Sequence, residues 1–399
     1  MQNILKKIIL VVFFFCLALP SLALDKKQIL VVSRCLLSKK FNYEILGEKD
    51  NLRLIQVNKL ATFQQMRLAA RKECQGFMNV TASWHQYNLQ GQNGVENFLE
   101  NFKLNSHPSD FTRRYKIKSQ EKVPPLFNEI DSLQMQQQLF QLTNLADRYV
   151  NSAEGMKAAK LIQQWLTEWI VDSPRTDVEV SRLATLNHDK QPSIVLRLGP
   201  KDGVPVIILG TPFDTLKSGR MLQPGANVNG SGTVTLLQTA RILLASNFTF
   251  DKSIYFIWYA GSEAGKLGVQ SVVEQFNRQN KNIDAVLHLD QTGFKQKNEI
   301  GIGLVDDATD AALTTFLADL VAIYLKLPVS AVRCGFACSD HMVWYQNNNR
   351  VAYPVSTTRD EGGTPFRYTD KDNFEKVSFD KMTDFVKLAL VFVVELAML

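Results

Sequence analysis

His288 and Asp290 stand two residues apart in the run Leu287-His288-Leu289-Asp290. On a strand, that spacing turns both side chains to one face. An imidazole and a carboxylate held there, joined by Glu263 and Asp214 from elsewhere in the chain, would supply a His-and-carboxylate set for a single metal ion. The plainer reading packs His288 beneath the strand end as an ordinary, partly buried histidine. Ser231 and Ser262 lie on Gly-flanked turns, yet neither has the Gly-x-Ser-x-Gly frame of a hydrolase nucleophile. Ser231 reads instead as the N-cap of the helix that follows it. Cys334 and Cys338 are near enough in sequence to close a tight disulfide loop. As a metal pair they lack a second Cys or His cluster to complete a tetrahedral site.

The start of the chain bears on where such chemistry would operate. Lys6 and Lys7 precede a continuous apolar run over residues 8–19, followed by Pro20, Ser21 and Ala23. This is the pattern of a secretory signal over residues 1–23, with small residues at the cleavage positions. The apolar run is too short to span a bilayer comfortably. A secreted or periplasmic protein is expected, with no stable membrane insertion after the signal is removed. Outside that run the cysteines are Cys35, Cys74, Cys334 and Cys338. An even number in an exported chain predicts two disulfides, and Cys35 and Cys74 are available as the second pair. The chain has 399 residues, 45% hydrophobic and 21% charged, ordinary values for a globular protein. A net charge of +6 without long basic runs gives no ground for nucleic-acid or anionic-membrane binding.

The elements that would position these side chains begin near residue 130. Met156, Ala159, Ile162, Trp165, Leu166 and Trp169 follow helical three-and-four spacing. Residues 193–198, 204–209, 254–259 and 285–289 are short apolar runs rich in strand formers, and residues 233–245 and 267–278 are helical. This predicts an α/β fold with a mostly parallel, mixed central sheet flanked by helices on both faces. Residues 379–399 read as a buried closing helix, too polar at Lys387 and Glu395 to span a membrane. A helix is expected over residues 59–72, and the Pro124-Pro125 pair reads as a linker. The expected division is a signal at 1–23, a small α+β domain at 24–125 and the large domain at 126–399. Active sites in such sheets lie at the carboxyl ends of the strands, here after residues 209, 259 and 289.

Those strand ends carry a family resemblance. Residues 223–232 (QPGANVNGSG) resemble a Pro-Gly-Ala-x-Asp-x-x-Ser-Gly loop, and residues 259–268 (YAGSEAGKLG) an Ala-x-Glu-Glu-x-Gly-x-x-Gly turn. Residues 287–294 (LHLDQTGF) match a Leu-x-Leu-Asp strand end. Residues 334–341 (CGFACSDH) are similar to Cys-Gly-Tyr-Ala-Cys-Ser-Asp-His. Residues 142–165, with Arg148 and Tyr149, resemble the start of the same catalytic domain. Together these motifs, in order over residues 120–399, look like the secreted bacterial leucyl aminopeptidases that use two zinc ions. The N-terminal part resembles that family's pro-region more loosely, through Cys74-Gln75-Gly76-Phe77.

The resemblance also implies a ligand set, and this chain departs from it. A pair of dications needs a bridging carboxylate, because two such charges a few ångströms apart repel strongly. The bridge position holds Val228, flanked by Asn227 and Asn229. The first ligand, a His, is Pro212, whereas its orienting partner Asp214 is kept. The late His ligand is Tyr368. Glu263 and Asp290 match the remaining acidic ligands. The general-base position is Ser262, which cannot take a proton near neutral pH without a base of its own. The carbonyl-polarising tyrosine position is Phe336. The resemblance therefore implies a degenerate, catalytically inactive or impaired aminopeptidase-like protein with no zinc or one weakly held ion, whose acidic remnant would take peptides or amino acids by their ammonium group. The alternative is an aminopeptidase working through an altered mononuclear site, with His288 as substitute ligand. Asp214, Glu263 and Asp290 sharing one pocket would call for a nearby cation, and Arg220, Lys266 and Arg367 are the candidates. His341 would hold its loop, and His85, His107 and His188 read as surface residues.

Overall fold

A computed structural model describes residues 27–37, 41–57, 65–66, 76–91, 94–102, 115–186, 190–219, 221–295, 301–356 and 364–398. The signal segment, most of the helix expected at 59–72, and Cys74, His107, His188 and Arg220 lie outside them.

The N-terminal part is an antiparallel sheet of β1 (Gln28–Ser33), β2 (Tyr43–Lys49), β3 (Leu52–Val57) and β4 (Phe77–Asn79), in the order β2-β3-β1-β4. Two short helices, α1 (Thr81–Leu89) and α2 (Val95–Glu100), follow it. The large part opens with α3 (Ser132–Thr143) and α4 (Ala153–Asp172), each capped by a side chain. Asp131 accepts from the Gln134 amide and Ser152 from the Gly155 amide.

The central sheet then forms from β5 (Val178–Leu183), β6 (Ser193–Leu198), β7 (Val206–Pro212), β8 (Ser253–Tyr259) and β9 (Ile283–His288). Helix α5 (Gly232–Ala245) lies between β7 and β8, and α6 (Leu267–Arg278) between β8 and β9. Next come β10 (Ile302–Val305), α7 (Ala311–Leu320), β11 (Val329–Val332), α8 (His341–Gln346), β12 (Val351–Ala352), β13 (Pro354–Val355) and α9 (Phe379–Ala397). The six-stranded order is β12-β9-β7-β8-β6-β5, parallel from β12 through β8 and antiparallel at β6 and β5. The mixed, mostly parallel sheet expected from the sequence is present. A smaller sheet, β11-β10-β13, stands beside it.

Strand alternation divides the sheet between two cores. Ile207 and Leu209 of β7, Phe256 and Trp258 of β8, and Ala285 and Leu287 of β9 enter one core with α5 and α9. Ile208, Tyr255, Ile257, Tyr259 and Val286 enter the other, with Val269, Val272, Val273 and Phe276 of α6. Burial on both faces is why these strands read as continuous apolar runs rather than alternating ones. Helix α9 closes the first core, and its Glu395 is buried too, accepting from the amides of Lys118 and Ser119 and from the Tyr324 hydroxyl. Among the described residues no helix is long and apolar enough to cross a membrane.

The Pro-Pro segment is not a free linker. It forms a 3-10 helix (Pro124–Glu129), and Val123 and Leu126 are buried in the first core. A Pro-Pro pair restricts the backbone without preventing the residues around it from packing, which composition alone does not reveal. The N-terminal sheet is likewise packed in. Ile29 and Val31 join the core beneath α6 and α8, whereas Leu30, Val32 and Phe77 pack with Tyr149, Val150, Ala264 and Leu267.

Candidate active site

The loops at the carboxyl ends of β7 and β8 meet at Asp214. Its two carboxylate oxygens accept from the backbone amides of Ser262 (2.9 Å) and Glu263 (3.0 Å), so the loop after β7 fixes the turn after β8. Burial, reinforced by the charge of Glu263, holds the Asp214 carboxyl well above the usual range; the two amide bonds only partly offset this. Asn229 Nδ2 donates to the Asp214 carbonyl (2.7 Å) and to Glu263 Oε1 (3.3 Å), tying in the Gly-Ala loop. The turn needs Gly265: its φ is +100°, and a Cβ there would come within 2.5 Å of Asn79 Cβ.

Ser262 sits between a carboxylate and an ammonium. Its hydroxyl donates to Asp340 Oδ2 (2.7 Å) and accepts from Lys266 Nζ (3.1 Å), and all three residues are buried.

Asp290 Oδ2 accepts from Ser339 Oγ (2.7 Å), and that hydroxyl also contacts His288 Nε2 at 2.7 Å. Burial pushes Asp290 up to about 6, against the Ser339 bond and the charges of Arg367 and Lys266. Burial, with His341 and Lys266 nearby, holds His288 well below the normal imidazole range. His341 is lowered to about 3 by burial and by Lys266. The rings of His288, His341 and Tyr353 pack on one another, with centroids 4.7 Å apart for His288–Tyr353 and 4.8 Å for His341–Tyr353. His288 is thus fully buried rather than partly so, and it lies behind Ser339. Among the described residues no three of His, Cys, Asp and Glu form a group that could hold a metal ion.

Val228 and Tyr368 form a small buried apolar cluster with Leu216. The amides of Asn227 and Val228 donate to the two oxygens of Asp372 (2.8 and 3.0 Å), which burial raises to about 6. The guanidinium of Arg367 lies 4.5 Å from the centre of the Tyr368 ring and donates to its hydroxyl. Burial would lower its proton affinity, but Tyr368, Glu263 and Asp290 together raise it further. Phe336 is buried in the core beneath α6, next to Ala337. Its loop is closed by the Cys334–Cys338 disulfide, and Asp307 accepts from the amides of Cys334 and Gly335.

Sequence reasoning missed three of these roles. Asp372 clamps the Gly-Ala loop, and nothing in its surroundings in the chain marks it. The sequence marks Arg148 only through the family resemblance. Fully buried, its guanidinium donates to the carbonyls of Phe213 (2.8 Å), Leu142 (3.2 Å), Pro224 (2.5 Å) and Gly225 (2.8 Å). Burial lowers it to about 10, with Asp372, Asp214 and Asp147 opposing. Ser231 stands at the N-cap position of α5 but its side chain makes no capping bond: its hydroxyl donates to Asn227 and accepts from the Thr292 amide. The acidic remnant is buried, since Asp214, Glu263 and Asp290 are each 4% exposed or less.

Strand-end loops at these positions on a sheet of this topology define an α/β protein of the aminopeptidase fold. Residues 193–393 match peptidase family M28, and the chain belongs to that family. It is 31% identical over 296 residues to leucine aminopeptidase 1 of Aspergillus niger, covering 70% of this chain and 74% of that one. The crystal structure of the LapA aminopeptidase of Legionella pneumophila superposes with a TM-score of 0.83 at 32% identity, over 93% of this chain and 98% of that one. That of LapB from the same organism gives 0.85 at 31%, over 93% and 99%. A zinc aminopeptidase from Bacillus subtilis, at 14% identity and a TM-score of 0.57 over 69% and 96%, shares the fold.

Proposed function

We propose that this chain is an exported member of the family that does not hydrolyse peptides by a two-zinc route. The carrying observation is that Val228, at the bridge position, and Tyr368, at a second ligand position, lie with Leu216 in one buried apolar cluster. The donor set does not fit a pair of zinc ions. Pro212 and Val228 offer no donor atom, and Asp214, the orienting partner, holds the backbone amides of Ser262 and Glu263 instead of a ligand imidazole. Without a bridging anion, two dications would face uncompensated repulsion. The base that would take a proton from water is also missing, since Ser262 is bonded to Asp340 and Lys266. The former site serves instead as a structural polar core. Fold similarity to active aminopeptidases does not weigh against this, because function resides in the site rather than the fold.

The test is to purify the full chain and measure bound zinc together with hydrolysis of leucine amides. Neither stoichiometric metal nor turnover is expected, and finding both would overturn the reading. A thermal-shift screen with amino acids and short peptides complements it. A ligand-dependent rise would instead assign a retained peptide-binding cleft.

A further inference from the structure

The carboxyl groups left by the missing zinc chemistry still need a counter-charge. Asp214, Glu263, Asp290 and Asp340 all lie within the site, and none is more than 4% exposed. Several ionised carboxylates in so small a volume would repel one another and forfeit their hydration. Two cationic side chains occupy the same region. Lys266, 1% exposed, reaches Ser262 Oγ at 3.1 Å, and that hydroxyl is bonded to Asp340. Arg367 is half-buried and immobilised on Tyr368, the residue at the late His ligand position, by a hydrogen bond to its hydroxyl and by stacking on its ring.

The segment that carries Arg367 is itself pinned to the site. The Arg367 amide donates to the Thr364 carbonyl (3.2 Å), and the Thr364 amide to Gln291 Oε1 (3.3 Å), beside Asp290. Asn227 Nδ2 donates to Thr364 Oγ1, which links the same segment to the Gly-Ala loop. The guanidinium is therefore a fixed part of the site rather than a surface side chain folded over it.

We infer that Lys266 and Arg367 are the resident cations of this site, so that the protein is stable without divalent metal and repels a divalent ion as well as lacking ligands for it. The inference rests on the proposed function for the absence of two-zinc chemistry and adds what has taken the metal's electrostatic place. Arg367 suits the task because its guanidinium stays protonated under all ordinary conditions and its plane stacks on Tyr368. Both cations are tethered to the chain, so the charge balance is part of folding and needs no ion from solution.

The experiment is a thermal-stability cycle on the full chain with Arg367→Gln, Glu263→Gln and the double variant, each with added zinc and with a chelator. Wild type is expected to melt at the same temperature under both conditions. Arg367→Gln is expected to lose roughly 3–6 °C, and the double variant to regain part of that loss because the unbalanced carboxylate is gone. Additive losses would show that Arg367 contributes packing only and would overturn the inference, while leaving the proposed function standing. If Arg367→Gln does not fold, recovery of soluble protein in the double variant supports the inference, and failure of both overturns it. A rise in melting temperature with zinc in wild type overturns it as well. If that rise comes with hydrolysis of leucine amides, the proposed function falls too.

Discussion

Val228 and Tyr368, 140 residues apart in sequence, lie with Leu216 in one buried apolar cluster, at two positions where the family resemblance implies metal ligands. Val228→Ala should leave a void beside the Tyr368 ring and cost roughly 2 kcal/mol. Val228→Asp, which puts back a carboxylate, should cost more, because the new charge would lie near Glu263 and Asp214 without a cation of its own. Denaturant melts of the two variants against wild type check both the size and the order.

Arg148 should be the least replaceable buried side chain near the site. Arg148→Gln leaves several of its four carbonyl partners without a donor, at a cost of ~3 kcal/mol or more. Arg148→Lys should rescue little, since one ammonium cannot span carbonyls on the 142, 213 and 224–225 segments. A lysine variant as stable as wild type would contradict this bracing role.

The sequence disclosed the scaffold better than the wiring. Strand 193–198 and helix 267–278 match their observed limits, because apolar pattern and structure coincide there. The apolar run of β7 stops at Leu209, yet its ladder with β8 continues through Gly210 opposite Ile257 to Pro212 opposite Tyr259. Those pairings depend on the neighbouring strand and not on hydrophobicity. Asp214, Glu263, Asp290 and Ser262 were legible through their motifs. Asp372 and the cluster of Val228 and Tyr368 with Leu216 were not, because each joins segments far apart in the chain and carries no periodic signal. Ser231 misled for a related reason: Asn227 and Thr292 compete for its hydroxyl and win over the helix end.

The histidines give the site a pH signature. His341 is lowered to about 3 in the fold, against 6.5 as its ordinary value, so the unfolded chain takes up the proton first. Its contribution to stability is full above pH 6.5 and is lost as pH falls toward 3. Asp290 and Asp372, raised to about 6, work in the opposite sense and lose stability as pH rises through that value. Comparing wild type with His341→Gln separates the two effects. Between about pH 7.5 and pH 5, wild type should lose about 2 kcal/mol more than the variant. Parallel stability profiles would refute the assignment.

The Cys334–Cys338 disulfide closes a very short loop, for which the chain-entropy gain is ~2 kcal/mol. Asp307 already holds the amides of Cys334 and Gly335, so part of that order survives reduction. Cys334→Ser/Cys338→Ser should lower stability by roughly 1–2 kcal/mol, without loss of the folded circular-dichroism signature. Collapse of that signature would mean that the bridge, and not Asp307, organises the loop.

The shared packing of the N-terminal sheet has a consequence for processing. One face of β1 lies in the core beneath α6, and the other lies with Ala264 and Leu267, next to the turn that carries Ser262 and Glu263. The Asn79 amide also donates to the Gly265 carbonyl at 3.0 Å. A protease that severed the chain between the two parts would break one covalent bond and none of these contacts. The fragments would co-purify as a nicked, two-chain particle, and mass under denaturing conditions would report a maturation that the native particle conceals.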